Sequence, residues 1–324
     1  MKKVAVLYNL NHYEHEYEAE FDSQVTIDAI ENALKDNYNV RLIEATSDFN
    51  WIQEIIHELP DVVFNICEGY YGPARESVYA ALLEQFKLLY TGPDSTNLLI
   101  CHNKSMVKKI LKGKILVPNG YSIRNIDDVK NVLDINYPVI VKLNSEGSSI
   151  GLCKDSIAYN SYELLNRVEM LYNLYKSNIL IEEYIDGIDI SVIYIEGIGP
   201  LGPCTVQCDA EFYDYEMKTV KDDNVDIIET KGDYSMLYEI VRNIVRILDI
   251  KGYAKLDFRV NNNKYYFIEV NGQVSFHPYG EFITCAKKNG YSFNEVINYI
   301  VKYTLKKSMK EYSFGIGEDY GNID

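Results

Sequence analysis

The stretch Gly252 to Asn271, GYAKLDFRVNNNKYYFIEVN, collects the residue types best suited to chemistry in this 324-residue chain. Two antiparallel strands, KLDFRV and KYYFIEV, are joined by an asparagine turn at Asn261 to Asn263. Asp257 lies in the first strand; Glu269 and Asn271 lie in and just after the second. Alternate side chains share a face, so Glu269 and Asn271 point the same way and Asp257 meets them across the pair. Two carboxylates and an amide oxygen among apolar residues are costly to bury without a cation. Such hard oxygen donors suit Mg²⁺, which takes one or two protein carboxylates and completes its shell with substrate phosphates. A polar patch on an exposed hairpin is the plainer reading, and the hairpin alone does not separate the two.

Two other stretches could serve a nucleotide. SEGSSIG, Ser145 to Gly151, follows a strand that carries Lys142. Backbone N–H groups of a small-residue loop can wrap a phosphate while the lysine supplies charge. The loop lacks P-loop spacing, and most such loops are only turns. IEEYI, Ile181 to Ile185, is followed by Asp189. Its backbone and a glutamate could read an adenine edge, and the later carboxylate could take ribose hydroxyls. Solvated acids flanking an apolar strand are the bland alternative.

The elements that must position these residues fall into three units. In residues 1–95, KKVAVLYNL reads as a strand buried on both faces, and SQVTIDAIENALKD as an amphipathic helix with Ser23 as N-cap. NVRLIEA, the helix WIQEIIHEL, the strand PDVVFNIC, the helix RESVYAALLEQF and a short strand LLYTG complete a doubly wound α/β domain. Its loops at Tyr8 to Glu20 and Glu68 to Glu76 follow parallel strands, where ligands bind. Pro93 and Asp94 mark a boundary. Residues 96–185 hold the helix HNKSMVKKIL, two strands around SEGSSIG, a helix over Tyr162 to Tyr175 and the strand ILIEEYI. Residues 186–310 open with ISVIYI. Pro200 to Thr230 reads as a long loop, a length typical of functional lids. The helix YSMLYEIVRNIVRILD, the hairpin and a final helix YSFNEVINYIVKYTLKK follow. The tail, 311–324, is rich in glycine and acids and reads as frayed.

Composition narrows the partners. A formal net charge of −16 argues against nucleic acid or an anionic membrane surface, although a local basic pocket could still take ATP. No apolar run is long enough to span a bilayer, and MKKVAVLYNL turns polar too soon for a signal peptide. The six cysteines, without a CxxC pair, read as reduced thiols of a cytoplasmic protein. Cys204 and Cys208 have no nearby histidines, which argues against zinc. Trp51 and most tyrosines read as packing residues, and His12 and His15 as exposed loop residues.

The order of the motifs is more specific than any one of them. Lys104 in HNKSMVKK, Lys142 in VIVKLNSEGSSIG, EEYIDGID, KLDF and FIEVN together resemble the ATP-grasp superfamily. VVFNICEGYYGPARESVYAALLEQFKLLYTGPD, FYDYEMK and GYAKLDF make the chain similar, to about Tyr303, to the D-alanine–D-alanine ligase family within it. The resemblance implies a mixed α/β and α+β architecture, an ATP-grasp fold preceded by a doubly wound α/β domain. It implies that Lys104 and Lys142 contact ATP phosphates. Glu182, with the backbone of Glu183 and Ile185, would read adenine, and Asp189 would hold ribose. Ser148 would close over the reacting groups, and Lys218 of the lid would reach the γ-phosphate. Asp257, Glu269 and Asn271 would bind two Mg²⁺ ions; Mn²⁺ suits the same donors. The family also makes a homodimer an expectation.

Four departures fall at the amino-acid sites. Lys255 replaces an arginine beside the metal-binding aspartate, keeping the charge but losing the fork. Thr219 follows the lid lysine where the family has tyrosine or, in some relatives, histidine. NGQVSFHPYGEF lacks the proline-glycine turn, so Gly272, Gln273 and Ser275 must rebuild the oxyanion and carboxylate pocket, with His277 beside it as a substrate contact. The glutamate for the first substrate's ammonium falls in an altered loop, which favours Glu18 with Glu20 as rival. The expectation is an active carboxylate–amine ligase working through an acyl phosphate, with substrates altered from those of D-alanine–D-alanine ligase. Lys255 and the Gly272 region would stabilise charge. D-alanine–D-alanine ligase itself is the alternative, and a non-catalytic nucleotide-binding protein the third reading.

Overall fold

The computed structural model describes residues 1–12, 15–132, 135–207, 226–229 and 232–314. FYDYEMK with Lys218, the following Thr219, Cys208 and the tail from 315 on lie outside the described residues.

The first sheet is parallel, in the order β2 (Asn39–Glu44), β1 (Lys3–Tyr8), β3 (Val62–Ile66). Alternation along β1 explains its position. Val4 and Val6 pack against Ile27, Ile30 and Leu34 of α1 (Gln24–Leu34), while Ala5 and Leu7 pack on the other face with Trp51, Tyr79 and Leu83. Trp51 begins α2 (Trp51–Glu58), and Tyr79 and Leu83 belong to α3 (Arg75–Gln85). The strand expected over LLYTG is reduced to an isolated bridge of Tyr90 with Val63. The chain leaves the sheet at Gly92, whose φ of +96° and closeness to the Tyr253 hydroxyl leave no room for a side chain. It then enters α4 (Ser95–His102), whose first turn Asp94 caps by accepting from the Asn97 amide at 2.9 Å.

Asn103 ends α4 and caps α5 (Lys104–Leu111), accepting from the Met106 amide at 3.0 Å. The helix expected over HNKSMVKKIL therefore begins at Lys104. The second sheet is antiparallel, in the order β4 (Gly120–Ile123), β7 (Ile179–Glu183), β5 (Val139–Leu143), β6 (Ile157–Ala158), and α6 (Ser161–Tyr175) packs on it. The second strand expected directly after SEGSSIG is not formed. Ser148, Ser149 and Gly151 have φ of +45°, +57° and +72°, and a 3-10 turn over Lys154–Ser156 follows before two residues join the sheet as β6. Arg167 fixes this path by donating to the Gly151 carbonyl and to Ser156 Oγ.

The third sheet is antiparallel, in the order β10 (Asp226–Glu229), β9 (Gly199–Gln207), β8 (Ile188–Ile195), β11 (Tyr253–Asn261), β12 (Lys264–Asn271). Its apolar face carries α7 (Ser235–Leu248) through Leu237, Val241 and Ile244. Both ends of the expected loop from Pro200 to Thr230 are thus strands, paired Cys204 to Glu229 and Thr205 to Ile228. Prolines and glycines in GPLGPCTVQ conceal β9 from a strand pattern. Two helices close the chain, α8 (Glu281–Lys288) and α9 (Phe293–Phe314). Tyr253, Phe276 and Phe282 make an aromatic cluster, and Phe64 of the first sheet meets Phe276, so the first and third sheets share one core.

Candidate active site

The β11–β12 hairpin turns through Asn262 and Asn263 at φ of +47° and +58°, the left-handed pair that suits a two-residue hairpin turn. Its register sets Asp257 directly opposite Glu269, and Lys255 opposite Asn271, on one face. The expected trio therefore converges, and Lys255 joins it. Asp257 accepts from the Ser191 hydroxyl at 2.6 Å and from Asn271 Nδ2 at 3.3 Å, and its Oδ2 stands 3.1 Å from Lys255 Nζ. Burial pushes the Asp257 carboxyl up, helped by Glu281 and Glu269 and opposed by Lys255. Burial disfavours the Lys255 ammonium, but Asp257 and Glu281 hold its pKa well above the usual lysine range. Among the described residues no group of three or more His, Cys, Asp or Glu side chains forms a metal cluster. Two carboxylates and an amide oxygen do fit Mg²⁺, which draws its remaining ligands from phosphate and water.

A cavity of about 230 Å³ opens beside this face and is lined by Lys104, Ser148, Lys255, Glu269, Asn271, Gly272, Gln273 and Ser275. Lys104 Nζ donates to the Glu146 carbonyl at 2.5 Å and lies 3.4 Å from Glu269 Oε2. The 145–151 loop closes the cavity against the N-terminal segment. Ser148 Oγ donates to the Ala19 carbonyl at 3.4 Å, and a Cβ on Gly147 would sit 2.1 Å from Glu20 Oε1. Arg75 fastens the two, donating to the Ser145 carbonyl at 3.2 Å, standing 3.0 Å from Glu146 Oε2 and pairing with Glu20.

Glu20, the rival, lines the cavity, whereas Glu18 does not. Glu18 is buried and accepts from the His12 amide at 3.0 Å. Both sit on a 3-10 turn over Glu16–Glu20, where residues two apart point to different sides. His277 also lies outside the lining; its Nδ1 accepts from the Tyr279 amide at 3.4 Å, which makes it a turn cap. Gln273 and Ser275 line the cavity but have other partners. Gln273 Nε2 donates to the Asn65 carbonyl at 3.2 Å, and Ser275 Oγ to Asp22 Oδ1 at 2.9 Å.

The nucleotide candidates form a neighbouring group. Glu182 is 2% exposed and spans two lysines, with Lys142 Nζ 2.7 Å from one oxygen and Lys108 paired to the other. Burial pushes the Glu182 carboxyl up, yet Lys108 and Lys142 outweigh it and hold it below the usual range. Lys108 is pushed down to about 8, chiefly by burial. Glu183 is exposed, and its amide donates to the Asn119 carbonyl at 2.8 Å. Arg259 binds both oxygens of Asp189, at 2.7 and 3.0 Å, and donates to the Ile185 carbonyl at 2.8 Å.

Several residues at the site went unassigned from sequence. Lys108 stands four positions after Lys104 on α5, so the spacing itself placed both on one helix face. Glu68, Glu76 and His102 line the cavity. His102 Nδ1 lies 2.5 Å from Glu76 Oε1, and burial beside Glu76, Glu20 and Asp22 lifts the Glu68 carboxyl well above its usual range. Glu281, at the start of α8, pairs with Lys255. The described cysteines are free thiols: Cys67, Cys101, Cys204 and Cys285 are buried and Cys153 is half-buried. Among the described residues no helix is long and apolar enough to cross a membrane.

Comparison with known proteins places this arrangement. The family model described as D-ala D-ala ligase C-terminus matches residues 120–302. The D-alanine–D-alanine ligase of Pelagibacter ubique is 30% identical over 281 residues, covering 83% of this chain and 88% of its own length. That of Wolbachia pipientis wMel is 30% identical over 295 residues, covering 88% and 90%. The crystal structure of D-alanine–D-alanine ligase from Bacillus anthracis complexed with ATP shares the fold, with a TM-score of 0.76 at 21% identity over 96% of this chain and 100% of that one. The VanG D-Ala:D-Ser ligase from Enterococcus faecalis superposes with a TM-score of 0.72 at 17% identity over 94% and 99%. Converging lysines and carboxylates, an ATP-grasp fold and relatives matched over most of their length lead to one conclusion: this chain belongs to the D-alanine–D-alanine ligase family of ATP-dependent, amide-forming enzymes.

Proposed function

We propose that the chain joins two D-alanines at the expense of ATP. The relatives that cover most of its length carry that activity in their names, which favours it over the altered substrate pair expected from the four departures. The observation that carries the reading is the gathering of Lys104, Glu269, Asn271, Lys255 and the Ser148 loop around one cavity. In this reading Lys104 and Lys142 hold ATP phosphates, the Glu182–Ile185 strand takes adenine, and Asp189 takes ribose. Mg²⁺, held by Asp257, Glu269 and Asn271, would neutralise charge on the transferring phosphoryl group.

The donor carboxylate takes the γ-phosphoryl group, giving an acyl phosphate and ADP. The acceptor nitrogen then attacks the acyl carbon, phosphate leaves, and the ammonium proton is lost. Lys255 stands where negative charge grows on the acyl group, and Gly272 borders the same wall. The Ser148 loop excludes water that would hydrolyse the acyl phosphate. Glu20 replaces Glu18 as the residue facing the donor ammonium. Lys218, which lies outside the described residues, keeps its expected role as a further γ-phosphate ligand in this reading.

The same reading assigns residues 1–95, 96–185 and 186–310 to an N-terminal, a central and a C-terminal unit. It also takes the protein to be a cytoplasmic homodimer, which sedimentation and cell fractionation test. The test of activity is phosphate release with Mg²⁺, ATP and D-alanine, with the product weighed by mass spectrometry. D-alanyl-D-alanine supports the proposal; ATP turnover only with other amino-acid pairs returns the altered-substrate reading. One observation favours that second reading, the pairing of Glu281 with Lys255.

A further inference from the structure

An amino-acid acceptor arrives as an ammonium, and its nitrogen must lose a proton before the lone pair can attack. The described carboxylates lining the cavity are Glu20, Glu68, Glu76, Glu146, Glu269 and Glu281. All but Glu68 have a basic partner: Arg75 takes Glu20 and Glu146, His102 takes Glu76, Lys104 takes Glu269 and Lys255 takes Glu281. Glu68 is 9% exposed, and among the described residues its carboxyl makes no hydrogen bond and no ion pair. Burial, with Glu76, Glu20 and Asp22 around it, lifts this carboxyl well above its usual range, and Arg75 opposes the rise. The other titratable groups that feel its charge, Cys67 and Tyr253, are themselves pushed up by burial and stay neutral. A carboxylate so placed holds a proton more strongly than one in water. The other candidates are committed. His102 Nδ1 is bound to Glu76 and its Nε2 is buried, while Ser148 and Ser275 donate to Ala19 and Asp22. The turn that carries Glu68 is tied to the Gly272–Ser275 segment, because Gln273 Nε2 donates to the Asn65 carbonyl and Ser275 Oγ to Asp22. The ligase reading gives that segment to the acceptor.

We propose that Glu68 is the catalytic base that takes the ammonium proton of the acceptor amino acid. The inference rests on the reading of this cavity as an amide-forming ligase site. The acceptor ammonium supplies the counter-charge that Glu68 lacks, so its arrival favours the carboxylate form. An N–H bond then breaks and an O–H bond forms on Glu68, leaving a neutral amine. Its lone pair forms the C–N bond to the acyl carbon, the C–O bond to phosphate breaks, and phosphate leaves with the electron pair. Glu68 returns its proton to water once the products depart.

The experiment gives full-length protein Mg²⁺, ATP and D-alanine, raised to saturation, and weighs D-alanyl-D-alanine by mass spectrometry. A parallel reaction adds hydroxylamine, whose nitrogen is already unprotonated at neutral pH and captures the acyl phosphate as a hydroxamate without a base. Each dipeptide rate is divided by the same variant's hydroxamate rate, a ratio independent of how much of the variant folds. Glu68→Gln should lower the ratio by on the order of 10²-fold, and Glu68→Asp, which keeps a carboxylate, should recover much of it. Glu68→Ser should match Glu68→Gln and replaces it if that variant does not fold. As pH falls, the wild-type dipeptide rate should drop through a step above the ordinary carboxylate range, and Glu68→Gln should lack that step. Dipeptide and hydroxamate falling together in the variants overturn the inference alone, since a group that holds the donor or the fold acts on both. A saturated dipeptide rate that is unchanged, with only a higher KM for the acceptor, overturns it too and makes Glu68 a binding contact. Absence of both products in wild type overturns the ligase reading for D-alanine and the inference with it.

Discussion

The charge cluster between α5 and the β5–β7 strands and the cluster on the β11–β12 hairpin use the same residue types with opposite sign. In the first, one carboxylate, Glu182, is clamped between Lys108 and Lys142. In the second, one ammonium, Lys255, is clamped between Asp257 and Glu281. The first is buried and the second half-buried, and in both the minority charge has two partners, which offsets the desolvation of bringing it out of water. The surplus differs. A surplus of cations suits phosphate, and a surplus of anions suits Mg²⁺ and an amine. Lys104, reaching Glu269, bridges the two signs where a phosphoryl group would cross from one substrate to the other.

The contrast predicts unequal responses to loss of the central charge. Glu182→Gln leaves two buried ammonium groups without the carboxylate they are paired to, and urea denaturation should show a loss of about 3–5 kcal/mol. An unchanged midpoint would mean that water already reaches Lys108 and Lys142. Asp257→Asn removes one of two partners of Lys255, so folding should suffer far less. Phosphate release should fall by on the order of 10²–10³. If Asp257→Asn unfolds as readily as Glu182→Gln, the hairpin cluster is structural and the contrast fails.

A smaller effect concerns Asp22, which accepts from Ser275 in the cavity wall. Burial lifts its carboxyl from 3.8 to about 7, against the hydrogen bonds from Ser275 and Thr26. The folded chain then keeps a proton that the unfolded chain releases near pH 4. The associated stability is full below that pH and is lost as pH rises through 7. The whole shift corresponds to about 4 kcal/mol, and structural relaxation should reduce the observed change to about 1–2 kcal/mol. Asp22→Asn should flatten the decline, with a higher denaturation midpoint than wild type at pH 8. Equal slopes for the two proteins would place the titration on another group. The least effect is expected at Asp189, whose side chain is 54% exposed despite its two bonds from Arg259. Asp189→Asn should change stability by less than about 1 kcal/mol while weakening ATP binding by calorimetry. Unaltered ATP affinity would remove Asp189 from the ribose site.

The hairpin was legible because its chemistry is local. Alternation and a short asparagine turn fix both the register and the face shared by Asp257, Glu269 and Asn271. The buried β1 and the helices α1, α2 and α7 were legible for the same reason, since each repeats its own burial period. β9 was not, because its prolines and glycines break the strand pattern while its neighbours β8 and β10 supply the pairing. That Glu20 and not Glu18 lines the cavity also escaped the sequence, because Arg75, 55 positions away, pairs with Glu20 at the cavity wall.

By itself the sequence determined which residues could bind nucleotide and metal, their order along the chain, and the family to which that order is similar. Those properties follow from residue type, short spacing and the two- or 3.6-residue periods of burial. Only the tertiary structure decided how the charges are spent. Glu281 reaches Lys255 across 26 positions, and Lys108 reaches Glu182 across 74. Such pairs form where separately folded elements dock, and their strength comes from the shared removal of water, which no local pattern records.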